Sequence, residues 1–111
     1  MLDDRAESPM ESQLRAILAL AGFTGMVANH PVRVGEYHYR IDLAIPHRKV
    51  AIEYQGDYHR DPEQWRRDMS RRSRIESIGW AVVEVNGDDV RNPAELVHRL
   101  TSVIAGRPRF S

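Results

Sequence analysis

The chain has 111 residues, a length that fits one compact domain with a modest hydrophobic core. Its formal net charge is zero, so bulk electrostatics does not by itself demand a nucleic-acid partner. Cysteine is absent, which excludes disulfide bonds and every cysteine-bearing zinc site. Any bound metal must therefore use carboxylate, histidine, carbonyl or water ligands, a set that suits Mg²⁺ or Mn²⁺.

The sequence carries no signal for membrane insertion or export. No apolar run approaches the roughly 18 residues that a transmembrane helix needs. The acidic start, "MLDDRAESPMES", lacks the apolar core of a signal peptide. We therefore expect a cytoplasmic protein with no membrane partner. Residues 1–7 are predicted to form an N-terminal tail, residues 8–106 a single domain, and residues 107–111 a C-terminal tail.

The first predicted element is a helix with recognisable start and stop signals. Ser8 is the predicted N-cap, Pro9 follows at the first helical position, and Glu11 completes a capping box. Gly22 marks the end of the helix. Its predicted core face consists of Leu14, Ile17, Leu18 and Ala21.

Three predicted strands come next. "PVRV" and "YHYRIDLAIP" flank a Gly-Glu turn, and "KVAIEY" follows a short loop, "PHRK". In the second strand, apolar residues at alternate positions are predicted to share one face, because side chains alternate along a strand. These residues are Tyr39, Ile41, Leu43 and Ile45.

The rest of the chain completes an α/β pattern. Asp61 and Pro62 open a helix that runs to Gly79, "WAVVEV" forms a further strand, and Asn92 starts a last helix. The core stripe of that last helix is predicted to be Leu96, Val97, Leu100, Val103 and Ile104. The order α-β-β-β-α-β-α indicates a small α/β domain with a mixed central sheet flanked by helices.

Two carboxylates stand in the most strand-like part of the sequence. If the second and third strands form a hairpin, Ile45 lies beside Val50 and Asp42 falls opposite Glu53. Like charges at that spacing destabilise a sheet unless something compensates, and a divalent cation is the compensator that carboxylates prefer. The alternative is that both acids lie on a solvated face and pair with neighbouring basic residues.

The spacing of these acids resembles the PD-(D/E)XK nuclease superfamily, which has an Asp on one strand, a Glu-x-polar sequence on the next, and an acid on a preceding helix. The segment "RRDMSRRSRIESIGWAVVEV" is similar to part of the very-short-patch-repair mismatch endonucleases, where an R-R-D-x-x-R helix leads into a G-W-x-V strand. The motifs "ESPMESQLR", "RIDLA", "AIEYQGDYHR", "RRDMSRR" and "GWAVVEV" resemble a broad bacterial family of endonuclease-like domains related to those enzymes. The similarity covers residues 6–105 and implies a restriction-endonuclease-like core.

The resemblance implies roles for individual residues. Asp42 corresponds to the main metal ligand and Glu53 to the second, together with a nearby backbone carbonyl. Gln55 stands where the superfamily typically has lysine, and its amide would orient the attacking water or a phosphate. His59 would take a proton from the water or contact phosphate, unless it is a helix-edge histidine beside acidic neighbours. Glu11 matches the acid on the first helix that approaches the metal in this family, although the capping box alone also explains it.

The predicted helix after these residues is rich in arginine, which binds phosphate through two parallel hydrogen bonds. Asp68 is predicted to orient an arginine in or beside the site. The alternative for this helix is a solvated surface stabilised by ion pairs one turn apart, such as Asp68 with Arg72. The candidate nucleic-acid-binding residues are Arg66, Arg67, Arg71, Arg72 and Arg74.

Three hypotheses for function follow. The leading one is a Mg²⁺- or Mn²⁺-dependent DNA endonuclease or nickase, with relatives in DNA repair and defence. The second is a non-catalytic nucleic-acid-binding or regulatory module of a toxin–antitoxin or phage-defence protein, which Gln55 and the zero net charge favour. The third is a protein-interaction domain without nucleic-acid contact. The family's domain often lies behind an antitoxin-like winged helix, so such a segment is an implied partner; the oligomeric state stays open.

Overall fold

The computed structural model describes residues 9–55 and 61–110, except for the side chain of Met10. The predicted order of elements is confirmed, with one short helix, α3, added before the last helix. In chain order the elements are α1 (Pro9–Leu20), β1 (Val27–Val34), β2 (Tyr37–Ile45), a 3-10 turn (Pro46–Arg48), β3 (Val50–Tyr54), α2 (Pro62–Ser77), β4 (Ala81–Val85), α3 (Gly87–Arg91) and α4 (Pro93–Ala105). The predicted tail at residues 1–7 and the Ser8 cap lie outside the described residues.

The four strands form one mixed sheet in the order β1-β2-β3-β4. The β1–β2 and β2–β3 pairs are antiparallel, and β3 and β4 are parallel. β1 begins at Val27 rather than at the predicted Pro31, because Val27 and Ala28 already pair with β2. Its position at the edge of the sheet accommodates Pro31, which has no N–H to donate to a second neighbour.

The predicted register between β2 and β3 is confirmed, since Ile45 pairs with Val50 and Leu43 with Ile52. The predicted alternation of β2 is wrong at Asp42, however. Ile41 packs on one side of the sheet and Leu43 on the other. Asn29 faces Asp42 across the β1–β2 ladder, has a left-handed φ of 53°, and interrupts the pairing there. This irregular backbone turns β2, so residues on either side of Asp42 do not alternate as in a regular strand.

Helices cover both faces of the sheet. On one face, the core residues that the helices contribute are Leu14 and Leu18 of α1, Val90 of α3, and Leu96 and Leu100 of α4. On the other face, Ile75 of α2 packs with Ala44, Ala51 and Trp80. The two alanines are fully buried, and their small side chains let α2 lie close to the sheet.

The ends of α2 follow the sequence signals. The Asp61 side chain accepts a hydrogen bond of 2.7 Å from the Gln64 N–H, which confirms the predicted N-cap. Gly79, with a φ of 95°, provides the left-handed residue that ends the helix and leads into β4. No helix in either described range combines the length and the apolar character that crossing a membrane requires.

The segment after α4 contacts the turn between β2 and β3. Arg48 donates to the Arg107 carbonyl oxygen at 2.8 Å, and Arg107 Nε donates back to the Arg48 carbonyl at 3.1 Å. The Phe110 N–H donates to the His47 carbonyl at 2.7 Å. Residues 107–110, which the sequence analysis assigns to a C-terminal tail, therefore pack against this corner of the domain.

Candidate functional site

Asp42 and Glu53 meet where β2 and β3 stop pairing as a regular ladder. Each carboxylate accepts a hydrogen bond from the backbone of the other strand. Glu53 Oε2 accepts from the Asp42 N–H at 3.1 Å, and Asp42 Oδ2 accepts from the Tyr54 N–H at 3.3 Å. The confirmed register thus brings the two acids together, and their side chains replace the backbone pairing at the end of the β2–β3 ladder.

Glu53 is almost completely buried, with 3% of its surface exposed. A carboxylate so buried requires a partner of opposite charge. Arg71 of α2 supplies that partner, because its Nη1 donates to Glu53 Oε1. Arg71 Nη2 donates to the Arg40 carbonyl oxygen at 2.7 Å, and the guanidinium carbon lies 5.6 Å from the centre of the Tyr39 ring. The guanidinium is therefore held at the site by three groups of β2 and β3.

The surroundings of Asp42 disfavour its ionised form. Its pKa is raised from the ordinary value of 3.8 to about 6, first by burial and then by the negative charges of Glu53 and Glu11. The Tyr54 N–H and the positive charge of Arg71 lower this pKa, but they do not cancel the rise. Burial and repulsion of this kind disfavour the ionised carboxylate, and the attraction of a bound cation would offset both effects.

Glu11, on the first turn of α1, approaches the same cluster from the other side of the sheet. It is partly buried and borders a small cavity together with Asp42 and Tyr54. Its negative charge contributes to the raised pKa of Asp42, after burial and Glu53. Glu11 therefore lies beside Asp42, and its role towards a metal stays a prediction.

A shallow cavity of about 290 Å³ opens in front of the carboxylates. Gln55 borders it directly after β3, and its Nε2 donates to Glu84 Oε2 of β4 at 3.3 Å. Asp68 of α2 borders the cavity from the opposite wall. The complete lining is Arg40, Asp42, Glu53, Tyr54, Gln55, Asp68 and Arg71.

An arginine-rich groove of about 490 Å³ adjoins this cavity, because Asp68 and Arg71 border both. Arg66 is exposed on the groove. Arg74 donates to the Tyr39 hydroxyl at 2.9 Å and lies 3.8 Å from the centre of the Tyr37 ring. The groove is lined by Tyr39, Glu63, Arg66, Arg67, Asp68, Ser70, Arg71 and Arg74.

The other two predicted arginines are engaged in surface ion pairs. Arg67 pairs with Glu63 one turn earlier at 3.0 Å, and both side chains are largely exposed. Arg72 points towards the opposite side of α2, where it contacts Glu76 at 3.5 Å and Glu84 at 3.4 Å. Exposed pairs of this kind contribute at most about 1 kcal/mol to stability.

Carboxylate oxygens are the ligands that Mg²⁺ and Mn²⁺ prefer, so the donor set at Asp42 and Glu53 fits such an ion. Within residues 9–55 and 61–110, the histidine and acidic side chains form no group of three or more that could hold a metal ion. An ion here would therefore combine the two carboxylates with a backbone carbonyl, water or a phosphate, as is common for Mg²⁺. His59, the predicted proton acceptor, lies outside the described residues.

The contact between Arg71 and Glu53 was not predicted from the sequence. Arg71 precedes the buried Ile75 by one helical turn, and this spacing could have indicated that Arg71 faces the sheet rather than solvent. Tyr39 was not predicted as a site residue either, although its ring and hydroxyl contact two arginines of α2. Glu84, which accepts a hydrogen bond from Gln55 and forms an ion pair with Arg72, gave no sequence signal beyond its place in β4.

The domain is similar to several known proteins. The solved catalytic domain of the homing endonuclease I-Bth0305I aligns over 89% of this chain and 96% of its own, with a TM-score of 0.69 and 18% identity. The uncharacterized proteins MT2308 and Rv2248, from Mycobacterium tuberculosis strains CDC 1551 and H37Rv, are each 34% identical over 101 residues. The match covers 88% of this chain, which spans 37% of those relatives' length. The model of REase_MTES_1575 matches residues 11–104, and the chain therefore belongs to this restriction-endonuclease-like family.

Proposed function

We propose that the protein is a Mg²⁺- or Mn²⁺-dependent DNA endonuclease or nickase that hydrolyses phosphodiester bonds. The observation that carries the proposal is the pair of carboxylates at the end of the β2–β3 ladder, one buried and one with a raised pKa, beside an arginine-lined groove. Membership of a restriction-endonuclease-like family and the similarity to a homing endonuclease catalytic domain support it. The likeness to very-short-patch-repair enzymes extends the proposal to DNA repair or defence.

Asp42 and Glu53 would hold the metal ion in this proposal, with Glu11 close enough to act electrostatically on Asp42. When bound, the ion would stabilise the charge that develops on the scissile phosphate and lower the pKa of a water that attacks it. Gln55 has an amide that donates and accepts hydrogen bonds, so it can orient that water but cannot supply a positive charge. His59 remains the proposed proton acceptor.

The groove beside α2 is the proposed path of the DNA backbone. Arg66 and Arg74 line it, and Arg71 and Asp68 lie where it opens into the carboxylate cavity. Guanidinium groups bind phosphate through two parallel hydrogen bonds, so a strand lying along the groove would deliver a phosphate towards Asp42 and Glu53. Tyr37 and Tyr39 of β2 stack with a distance of 6.1 Å between their ring centroids, and they contact the arginines of the groove.

Plasmid nicking tests the proposal. Supercoiled DNA is incubated with the protein and Mn²⁺ or Mg²⁺, beside the Asp42→Asn variant and a sample containing chelator. We expect the wild type to relax the plasmid only with metal and the variant to be inactive while it still binds DNA. Relaxation that persists in the variant or in chelator would contradict the roles assigned to Asp42 and the metal.

The alternative proposal is a binding or regulatory module without catalysis. The hydrogen bond from Gln55 to Glu84 favours it, because the amide at the position usually held by lysine faces a carboxylate of β4. Titration of Mn²⁺ into the wild type and Asp42→Asn separates the two proposals. Binding that disappears in the variant supports the nuclease, and the absence of binding, even with a DNA duplex present, supports the module.

DNA specificity is proposed to depend on more than this domain. The chain spans 37% of the length of its curated relatives. An antitoxin-like winged helix in a longer protein is the proposed partner segment, since such segments bind DNA through base contacts in the groove. In that arrangement, the domain described here would supply cleavage and backbone contacts, and the partner segment would supply selectivity.

A further inference from the structure

We propose that Arg71 is a competing cation that couples metal binding to DNA binding. In the absence of DNA it occupies Glu53, and when a DNA phosphate draws it away, Glu53 becomes available to the metal ion. The inference rests on the proposed nuclease function but goes beyond it, because it assigns the order of dependence between the two ligands. Arg71 is a positioning residue in this scheme.

Both oxygens of Glu53 already have partners. Oε1 accepts from the Arg71 guanidinium, and Oε2 accepts from the backbone N–H of Asp42. Each carboxylate oxygen can accept two interactions, but a metal ion bound to Glu53 beside Arg71 would place two cations at one buried carboxylate, and their repulsion favours the loss of the Arg71 contact. The N–H of Asp42 belongs to strand β2 and cannot move independently, whereas Arg71 has a long, flexible side chain. The competition for Glu53 is therefore between the metal ion and Arg71.

Arg71 is also placed to reach a phosphate. Its side chain is 29% exposed and borders both the carboxylate cavity and the arginine-lined groove. Arg66, Arg67 and Arg74 border the same groove, so a phosphate bound there would already be close to the guanidinium. Glu53 and a groove phosphate are thus two anions that the same guanidinium can serve in turn.

The negative charge of Glu53 explains why the departure of Arg71 depends on both the DNA and the metal ion. Without Arg71 or a metal ion, Glu53 would be a buried, uncompensated charge close to Asp42, which is strongly unfavourable. Arg71 therefore leaves Glu53 only when another cation replaces it. By linkage, DNA that attracts Arg71 must raise the affinity for metal, and metal must raise the affinity for DNA by the same factor.

The test is calorimetric titration of Mn²⁺ into the full chain, with and without a short duplex whose linkages are phosphorothioates that resist cleavage. Wild type is expected to bind Mn²⁺ roughly tenfold more tightly when the duplex is present, within the range typical of coupled sites. Arg71→Gln is expected to bind Mn²⁺ roughly tenfold more tightly than wild type without DNA, and the duplex should add little further affinity.

Arg74→Gln is the matched control. Arg74 lies one helical turn after Arg71 and borders the same groove, but it contacts Tyr39 instead of Glu53. This variant should weaken DNA binding while its Mn²⁺ affinity without DNA stays at the wild-type value. Arg71→Lys provides a second variant with the charge retained and a single donor group, and its Mn²⁺ affinity should lie between those of wild type and Arg71→Gln.

The outcomes separate this inference from the proposed function. Mn²⁺ affinity that rises in Arg71→Gln and loses its dependence on DNA supports the competing cation. Mn²⁺ affinity that is equal in wild type and in both Arg71 variants overturns the inference but leaves the nuclease proposal standing. No Mn²⁺ binding by any of these proteins, with or without the duplex, overturns both. If Arg71→Gln does not fold, the comparison of Arg71→Lys with wild type decides between the same outcomes.

Discussion

Asp42→Asn is predicted to make the metal-free protein more stable at neutral pH. The pKa of Asp42 is raised from 3.8 to about 6 by burial and by the charges of Glu53 and Glu11. A shift of about two units corresponds to about 3 kcal/mol, at about 1.4 kcal/mol for each unit. Asp42 is only partly buried, and solvent screening reduces the effect to about 1–2 kcal/mol. Asparagine has nearly the same shape and can still accept from the Tyr54 N–H, so the charge is the main change.

The sign of the pH dependence follows from proton binding. Between pH 3.8 and about 6, the folded protein holds a proton on Asp42 that the unfolded chain has released. The contribution of Asp42 to stability therefore falls as the pH rises through this window, and the full penalty is present above it. Below pH 3.8 the residue is protonated in both states, so the difference between wild type and variant should disappear.

Urea unfolding in chelator, followed by the fluorescence of the buried Trp80, measures this difference at several pH values. Asp88→Asn is the control, because Asp88 is 86% exposed in its ion pair with Arg91 and should change stability by no more than about 0.5 kcal/mol. An Asp42→Asn variant that is less stable at pH 7, or whose advantage does not grow between pH 4 and 6, would refute the reasoning.

Four further predictions address the rest of the site. Glu53→Gln should lower the free energy of unfolding by about 1–3 kcal/mol, because it breaks the buried ion pair with Arg71. Urea unfolding measures this change, and an unchanged free energy of unfolding would argue against the ion pair. Gln55→Lys should raise the nicking rate about tenfold or more, because lysine adds a positive charge beside the reacting phosphate. A nicking rate equal to that of wild type would indicate that this position does not face the phosphate. Arg66→Ala should reduce the salt dependence of DNA binding by about one phosphate contact, as measured by anisotropy, and an unchanged slope would exclude the contact. In chelator, Asp42→Asn should bind duplex more tightly than wild type, because it has less negative charge; equal affinity would indicate that DNA does not reach the carboxylates.

The sequence predicted the local elements and the β2–β3 register because their signals lie within a few residues. The N-cap Asp61, the alternation of β3 and the short turn after Ile45 each depend on near neighbours. The pairing of Ile45 with Val50 then brings Asp42 towards Glu53 without further information. This is why the acidic pair was predictable from the sequence.

The break in β2 and the orientation of Arg71 depend on contacts between distant parts of the chain, and they were not predicted from the sequence. The break in β2 depends on the left-handed conformation of Asn29, a residue of another strand. Arg71 faces Glu53 because Ile75, one turn further along α2, packs on the two small alanines of the sheet. The spacing within α2 can indicate that Arg71 faces the sheet, but neither segment indicates which residue lies opposite, because that depends on the partner strand.

The buried carboxylates lower the stability of the folded domain, and Arg71 of α2 offsets part of this loss. An apolar residue in place of Glu53 would continue the core that Ala51 and Ile75 form, so the buried acid is not explained by packing alone. Arg71 compensates Glu53, yet the raised pKa of Asp42 means that this one guanidinium does not compensate the second acid. A divalent cation carries the additional positive charge that the cluster lacks. The excess of negative charge in a fold used by endonucleases is therefore the physical reason to look for the metal at the end of the β2–β3 ladder.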